Sequence, residues 1–155
     1  MRFQKDSYSC GVYAVMNAAK CFGIDLKRRQ ITKHSKTTKE NGTSEKGILK
    51  ALDGNCMVGE EFSFNKAERD MAFEVLDNVL IGPCVNPVIL SVDNDNHWCT
   101  LVGKIGSKYL LFDSDRSKYN KEENGIHVLS VEELENYWRS VNNKYYCIVV
   151  DQKIE

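Results

Sequence analysis

The chain has 155 residues, of which 42% are hydrophobic and 28% are charged, and its formal net charge is −1. This length and composition predict one soluble globular domain over residues 1–155, with enough apolar residues for a core. The balanced charge argues against a field that draws the protein to nucleic acid or to an anionic membrane. No apolar run is long enough for membrane insertion or for a signal peptide.

The six cysteines argue for a reducing compartment. Their spacings are wide and no export signal precedes them, so a disulfide framework is not expected and a cytoplasmic location is. No CxxC or HxxxH pair is present, so neither a metal site nor a cofactor is predicted. Four cysteines lie among apolar residues and are predicted to be in the core: Cys21, Cys56, Cys84 and Cys147.

The first half of the chain is predicted to be mainly helical. Apolar spacing predicts four helices: Cys10–Phe22, residues 26–34, residues 44–52 and residues 66–81. Their predicted N-caps are, in order, Ser7 or Ser9, Asp25, Ser44 and Asn65. A polar loop is predicted to run to Gly42. Residues 55–64 are predicted to be irregular, with a short strand over 58–64.

The second half is predicted to be mainly β-sheet. Strands are expected at residues 87–92, 97–104, 108–113, 125–129 and 145–150. The second and third form a hairpin around Gly106-Ser107, and one helix over residues 131–141 follows a capping box that starts at Ser130. Helices in one half and an antiparallel sheet in the other predict an α+β fold, with the two halves packed together.

The stretch from Gln4 to Asn17 carries a candidate nucleophile. Cys10 begins a predicted helix, where the helix dipole and the free N–H groups stabilise a thiolate. Gln4 lies on the loop that leads in, and its side-chain N–H could stabilise an oxyanion formed at the same point. A lone cysteine on a helix is commonly a small buried apolar residue, so this interpretation needs a base and an acid from elsewhere.

The base is predicted to be His97. It starts a strand beside a turn-like segment and precedes Trp98, which is expected either to wall a cleft or to belong to the core, with the cleft wall favoured. His34 lies in a polar loop and His127 in the middle of a strand. The hairpin predicts that His97 lies opposite residues 114–116, with a margin of two residues.

Two carboxylates, Asp113 and Asp115, fall within that margin. A carboxylate beside the imidazole of His97 would fix its tautomer and stabilise its charged form. The spacing does not choose between the two. The alternative is that His97 is a strand-end residue and that both aspartates only form turns.

Five segments together carry a family resemblance. They are Gln4 through Cys10-Gly11 and Ala14; Gly42-Thr43-Ser44 with Gly47-Ile48; Pro87-Val88-Ile89 leading to Asn96-His97-Trp98; Phe112-Asp113; and Val131-Glu132-Glu133-Leu134 with Trp138. With these motifs the chain resembles the papain-like cysteine peptidases, and most of all the bacteriocin-processing peptidases that cleave double-glycine leader peptides.

The resemblance implies a papain-like fold and a role for each candidate residue. Cys10 would be the nucleophile, His97 the general base and acid, Asp113 the orienting acid and Gln4 the oxyanion donor. It also implies a peptide or protein substrate and association with an exporter. Two positions depart from the family, since Ser9 replaces an acidic residue before the cysteine and Ser114 replaces a common proline after the aspartate.

Three alternatives to leader-peptide cleavage remain open at this level. A catalytically idle domain would bind a peptide or protein without cleaving it. Peptidases that remove ubiquitin-like modifiers share similar motifs, but their histidine block precedes the cysteine block. An acyl-transfer enzyme of the same clan would use the same triad.

Overall fold

The structure, a computed structural model, describes residues 1–115, 124–140, 142 and 144–154. The described helices are α1 Cys10–Cys21, α2 Arg28–Ser35, α3 Glu45–Asp53, α4 Arg69–Leu80 and α5 Val131–Trp138. The described strands are β1 Met57–Asn65, β2 Val88–Val92, β3 His97–Ile105, β4 Lys108–Phe112, β5 Ile126–Leu129 and β6 Lys144–Gln152. Within this part of the chain, every helix is too short or too polar to cross a bilayer.

One antiparallel sheet divides the protein into three layers. Its strand order is β1-β6-β2-β3-β4-β5. One face packs against α1, α2 and α3 in a core that includes Val15, Ile31 and Ile148. The other face packs against α4 and α5 in a second core that includes Leu76 and Trp138. The predicted α+β class, with α1 packed on the sheet, is confirmed.

The hairpin of β3 and β4 has the predicted turn, and it determines which residues meet near its open end. Thr100 pairs with Phe112, and a bulge between Leu101 and Gly103 shifts the register nearer the turn. If the pairing of Thr100 with Phe112 is extended toward the open end of the hairpin, His97 lies beside the segment that begins at Asp113. The structure thus confirms the predicted hairpin.

Two predicted segments are wrong in their boundaries. Residues 55–64 are not irregular, because β1 is a nine-residue edge strand that pairs with β6 along its whole length. The second helix begins only at Arg28 and is not capped by Asp25. Asp25 instead forms ion pairs with Arg2 and Lys20, which are contacts that local sequence patterns do not reveal.

The helix caps follow the sequence in three cases and depart from it at α1. Ser44 caps α3 by accepting from Gly47 N–H at 3.0 Å, and a capping box begins at Ser130 as predicted. Asn65, predicted as an N-cap, begins a capping box on a 3-10 turn over Lys66–Glu68 that leads into α4. Ser9 is the N-cap residue of α1, but its hydroxyl makes no cap hydrogen bond.

The loop before α1 is stabilised instead by Asp6. One carboxylate oxygen of Asp6 accepts the backbone N–H groups of Tyr8 and Ser9, at 3.1 and 2.8 Å. The other oxygen accepts from Arg28 on α2 at 2.6 Å. Asp6 therefore orders the loop that leads into α1, and in this described part of the chain the cap bond predicted for Ser7 or Ser9 is not formed.

The cysteine prediction is right for one residue and wrong for three. Cys147 is buried on β6, but Cys21, Cys56 and Cys84 are exposed, and all six thiols of the chain are free. The three exposed thiols lie at the end of α1, before β1 and after α4, where turns carry them out of the apolar layers. Cys99, absent from the predicted set, is buried.

The cap assignments predict different stabilities for two serine variants. Ser44→Ala should lower the free energy of unfolding by about 1 kcal/mol, because it removes a side-chain cap bond. Ser9→Ala should cost less than half as much, because its hydroxyl makes no such bond. Urea unfolding followed by circular dichroism measures both, and equal losses would contradict the assignment of Asp6 as the group that stabilises the start of α1.

Candidate active site

Cys10 lies at the first turn of α1, on the wall of a cleft. Only 7% of the residue is exposed, and it belongs to a cleft of about 260 Å³ that Tyr8, Thr43 and Trp98 also line. The first N–H groups of a helix have no partner within the helix, and the helix dipole adds a partial positive charge there. These features make the start of α1 a favourable place for an anion that forms there during a reaction.

The width of the cleft depends on Gly11. A Cβ atom at this position would lie 2.5 Å from the Cβ atom of Thr43, so any larger residue would push the Thr43 segment away from α1. Trp98 holds the same segment from the sheet side, because its indole N–H donates to the Thr43 carbonyl at 2.9 Å. Trp98 is thus both a largely buried residue and a wall of the cleft, as predicted.

His97 and Asp113 form a buried pair at the open end of the hairpin. His97 Nε2 lies 2.6 Å from Asp113 Oδ1, and the residues are 7% and 1% exposed. The Cys10 thiol is within hydrogen-bonding reach of the same imidazole. Because Nε2 is engaged with Asp113, Nδ1 is the ring nitrogen available to the thiol.

The electrostatics of this pair favour the charged form of both partners. Burial alone would lower the pKa of His97, but the hydrogen bonds to Asp113 and Cys10 outweigh burial and raise it. Burial alone would raise the pKa of Asp113, but the hydrogen bond from His97 outweighs burial and lowers it. An imidazolium held by a carboxylate beside a thiol is the arrangement that stabilises a thiolate.

Three further groups donate hydrogen bonds to the Asp113 carboxylate. The backbone N–H of Asp115 donates to Oδ1 at 2.9 Å, and the Tyr137 hydroxyl donates to Oδ2 at 3.2 Å. The thiol of Cys99 is the third, since burial raises its pKa to about 12 and keeps it protonated. A buried carboxylate with this many donors can remain ionised.

Tyr137 and Cys99 were not identified from the sequence. Strand alternation could have found Cys99, because it lies two residues beyond His97 and therefore on the same face of β3. No sequence pattern indicates Tyr137, because it lies on α5 and reaches Asp113 only through the packing of that helix on the sheet.

The structure distinguishes the two aspartates that the hairpin spacing allowed as partners of His97. The side chain of Asp113 contacts His97, whereas Asp115 contributes its backbone N–H to Asp113. Spacing could not choose between them because both lie within the margin of the hairpin register.

Gln4 is fixed between the two parts of the site. Its backbone N–H donates to the Ser114 carbonyl at 2.8 Å, and its side-chain Oε1 accepts from the Ser114 hydroxyl at 2.6 Å. Its Nε2 donates to the Asp6 carbonyl at 2.7 Å. An amide nitrogen has two protons, so one N–H remains for another acceptor.

The remaining histidines lie elsewhere. His34 is in the last turn of α2, not in a loop, and its Nδ1 lies 3.0 Å from the Asn55 amide nitrogen. His127 is half-buried on β5. Among the described residues, one group brings metal-ligating atoms within 4.8 Å of one another: His97, Cys99 and Asp113. Hydrogen bonds already join these three side chains, so they belong to the site described above.

Comparison with known proteins adds a family and several related folds. Residues 1–142 match the model of the peptidase C39 family. A comparison with curated protein sequences found no match. In structure the chain is similar to the peptidase domain of Streptococcus ComA, a bi-functional ABC transporter involved in a quorum sensing pathway. The TM-score is 0.69 and the sequence identity is 18%, and the match covers 98% of this chain and 97% of that one.

Two further solved structures have the same fold. A double glycine motif protease from an AMS/PCAT transporter, in complex with its leader peptide, gives a TM-score of 0.70 at 14% identity, covering 97% of this chain and 89% of that one. The N-terminal peptidase C39 like domain of the toxin secretion ATP-binding protein from Vibrio parahaemolyticus gives 0.62 at 12% identity, covering 94% and 98%. These likenesses confirm the predicted papain-like fold.

The contact between Tyr137 and Asp113 predicts a change in the acid's titration. Tyr137→Phe should raise the pKa of Asp113, because the carboxylate loses a donor to its charged form. The titration of the Asp113 carboxyl carbon, followed by NMR, measures this directly. Tyr145→Phe is the matched control, since it removes a hydroxyl that donates to Glu135. A pKa of Asp113 that is the same in both variants would exclude Tyr137 from this role.

Proposed function

Because the chain belongs to the peptidase C39 family and is a cysteine-type peptidase, we propose that Cys10, His97 and Asp113 form its catalytic triad, with Gln4 as the oxyanion donor. We propose further that residues 1–155 act as one peptidase domain and that the substrate is a leader peptide, cleaved after a small-residue, Gly-Gly-like site. The observation that carries the proposal is the buried His97–Asp113 pair beside a cysteine at a helix N-terminus.

The geometry supports a two-step hydrolysis. The Cys10 thiolate attacks the peptide carbonyl, and the new oxyanion accepts hydrogen bonds from the Cys10 backbone N–H and the second Gln4 side-chain N–H. The His97 imidazolium gives its proton to the leaving amine as the C–N bond breaks. Water then loses a proton to His97 as it attacks the thioester, which releases the acid product and the thiol.

The substrate and partner proposals rest on the relatives and on the cleft. The solved relatives include a double glycine motif protease bound to a leader peptide and the peptidase domain of an ABC transporter. Tyr8 and Trp98 both line the cleft beside Cys10. In this proposal the peptide passes between these two aromatic side chains, which favours small residues next to the scissile bond. Association with an exporter at the cytoplasmic side of a membrane follows from the same likeness.

The triad predicts that Cys10 is selectively labelled at acidic pH. With limiting iodoacetamide near pH 5, Cys10 should react although it is buried, because its thiolate is paired with the imidazolium of His97. Cys21, Cys56 and Cys84 are exposed thiols of the same chain and serve as internal controls in the same reaction. Peptide mapping by mass spectrometry identifies the labelled residue.

The matched variant for this experiment is His97→Gln. It removes the proposed imidazolium and should reduce the rate of Cys10 labelling at pH 5 to that of the exposed thiols. If Cys10 in the unmodified protein reacts no faster than Cys21, Cys56 or Cys84, the triad is not assembled, and a peptide-binding domain without catalysis explains the fold better.

The two aspartates predict unequal losses of activity. Asp113→Asn should lower kcat/KM by about 10- to 100-fold, because a charged hydrogen bond to the imidazolium is replaced by a neutral one. Asp115→Asn should change it less than about threefold, because the backbone N–H that contacts Asp113 is retained. Equal losses would remove the basis for choosing Asp113.

The assay for these variants also tests the substrate. Peptides that carry Gly-Gly, Ala-Ala or Leu-Leu before the scissile bond are compared, with Cys10→Ala as the inactive control. Mass spectrometry of the products, with and without an added primary amine, separates hydrolysis from acyl transfer. We expect free fragments and the fastest cleavage after Gly-Gly; efficient cleavage after Leu-Leu would contradict the small-residue site.

A further inference from the structure

The charges of the chain are unevenly distributed along the sequence. Residues 1–55 contain eleven Lys and Arg and five Asp and Glu, a net charge of +6, whereas residues 56–155 contain ten and seventeen, a net charge of −7. The first segment supplies α1, α2 and α3, which all lie on one face of the sheet. The overall charge of −1 therefore conceals a positive helical layer.

Within that layer, three lysines surround a cavity of about 280 Å³ between the end of α2 and the start of α3. Lys36 follows α2, and Lys46 and Lys50 are one turn apart on α3, so their side chains converge on one opening. No acidic side chain of the described residues lines this cavity. We refer to it below as the lysine cavity.

The three lysines are exposed and, among the described residues, none has a carboxylate within ion-pair distance. Glu45 is the acidic residue of the first turn of α3, but it interacts electrostatically with Tyr146 on β6 and does not line the cavity. Three unpaired ammonium groups around one cavity repel each other, and an anionic ligand relieves that repulsion.

The lysine cavity adjoins the cleft that contains Cys10. Both are bordered by Asn41 and Gly42, which lie in the turn between Lys36 and Thr43. An extended peptide advances about 3.3 Å per residue, so a peptide with its scissile bond at Cys10 can cross this turn within a few residues. The cleft itself is mixed in charge, with Lys39 beside Glu40 and Asp95, so the uniform positive charge belongs to the cavity.

We propose that the lysine cavity binds acidic side chains of the peptide substrate, in a segment that flanks the scissile bond. The inference rests on the proposed peptidase function and adds a substrate class to it. Charge complementarity selects carboxylates, and the shared border with the cleft of Cys10 favours a peptide that is in the active site at the same time. Lysines at such a surface act mainly on KM and on the rate of association.

The test compares two peptides with one Gly-Gly site. One peptide of each pair carries three Glu residues and the other carries three Gln residues, placed three to eight positions from the scissile bond. One pair has these residues before the scissile bond, and a second pair has them after it. At low salt, in one of the two pairs, the Glu peptide should have a kcat/KM about tenfold higher than the Gln peptide, because its KM is lower. The preference should decrease as the salt concentration rises from about 50 to 500 mM.

The variant K36Q/K46Q/K50Q should abolish the preference and leave kcat/KM for the Gln peptide unchanged. The variant K27Q/K33Q/K66Q is the matched control, since it removes the same charge from exposed lysines outside the cavity and should retain the preference. Equal kcat/KM values for Glu and Gln peptides on both sides would overturn the inference. An equal loss of kcat/KM for the Glu and the Gln peptide in the K36Q/K46Q/K50Q variant would also overturn it.

A binding measurement separates this inference from the proposed function. Fluorescence anisotropy with Cys10→Ala reports peptide binding without turnover. If the Glu peptide binds through the lysines but the unmodified protein does not cleave it, the proposed function fails and the cavity assignment stands. If the cavity lysines instead bind the protein to vesicles of anionic phospholipid and make no difference to either peptide, the cavity serves a membrane surface and the inference is wrong.

Discussion

The buried pair of His97 and Asp113 is the interaction on which the rest of the site depends. Removing two charges from water costs several kcal/mol per ion unless each is hydrogen bonded, so the pair requires donors for the remaining oxygen lone pairs. The fold supplies them from β3, from the chain after β4 and from α5. A one-residue slip of the hairpin would turn Asp113 to the opposite face of the sheet and leave the imidazole unpaired.

The proposed acid, Asp113, and the proposed oxyanion donor, Gln4, are linked through adjacent residues. Ser114 follows Asp113 and makes both a backbone and a side-chain hydrogen bond to Gln4. The Asp6 carbonyl needs a donor, which directs Gln4 Nε2 toward the start of α1 and Oε1 toward Ser114. The family resemblance includes a common proline at position 114, and proline has no hydroxyl to make this bond. The departure at Ser114 therefore has a structural role in this chain.

The sequence predicted those features that depend on neighbours along the chain. The spacing of the hairpin placed His97 within two residues of its partner, and local patterns identified the cap at Asn65 and the capping box at Ser130. The features that the sequence did not predict depend on residues far away in the chain. Strand β1 pairs with β6, about 85 residues later, and Tyr137 contacts Asp113 only because α5 packs on the sheet. A local pattern indicates that a strand or a polar group exists, but it does not identify what lies across the sheet.

The net charge of the chain does not describe the charge that a ligand meets at a given surface, because charges that are distant in the fold do not cancel there. Charges in water act over about 8–10 Å at physiological salt, which is shorter than the distance across a three-layer domain. The +6 and −7 segments therefore do not cancel at the surface that a ligand meets. Because residues 1–55 supply the layer of α1, α2 and α3, the fold gathers the positive excess of that segment on one face of the sheet. The lysine cavity lies in this layer, and the value of −1 for the whole chain does not reveal its charge.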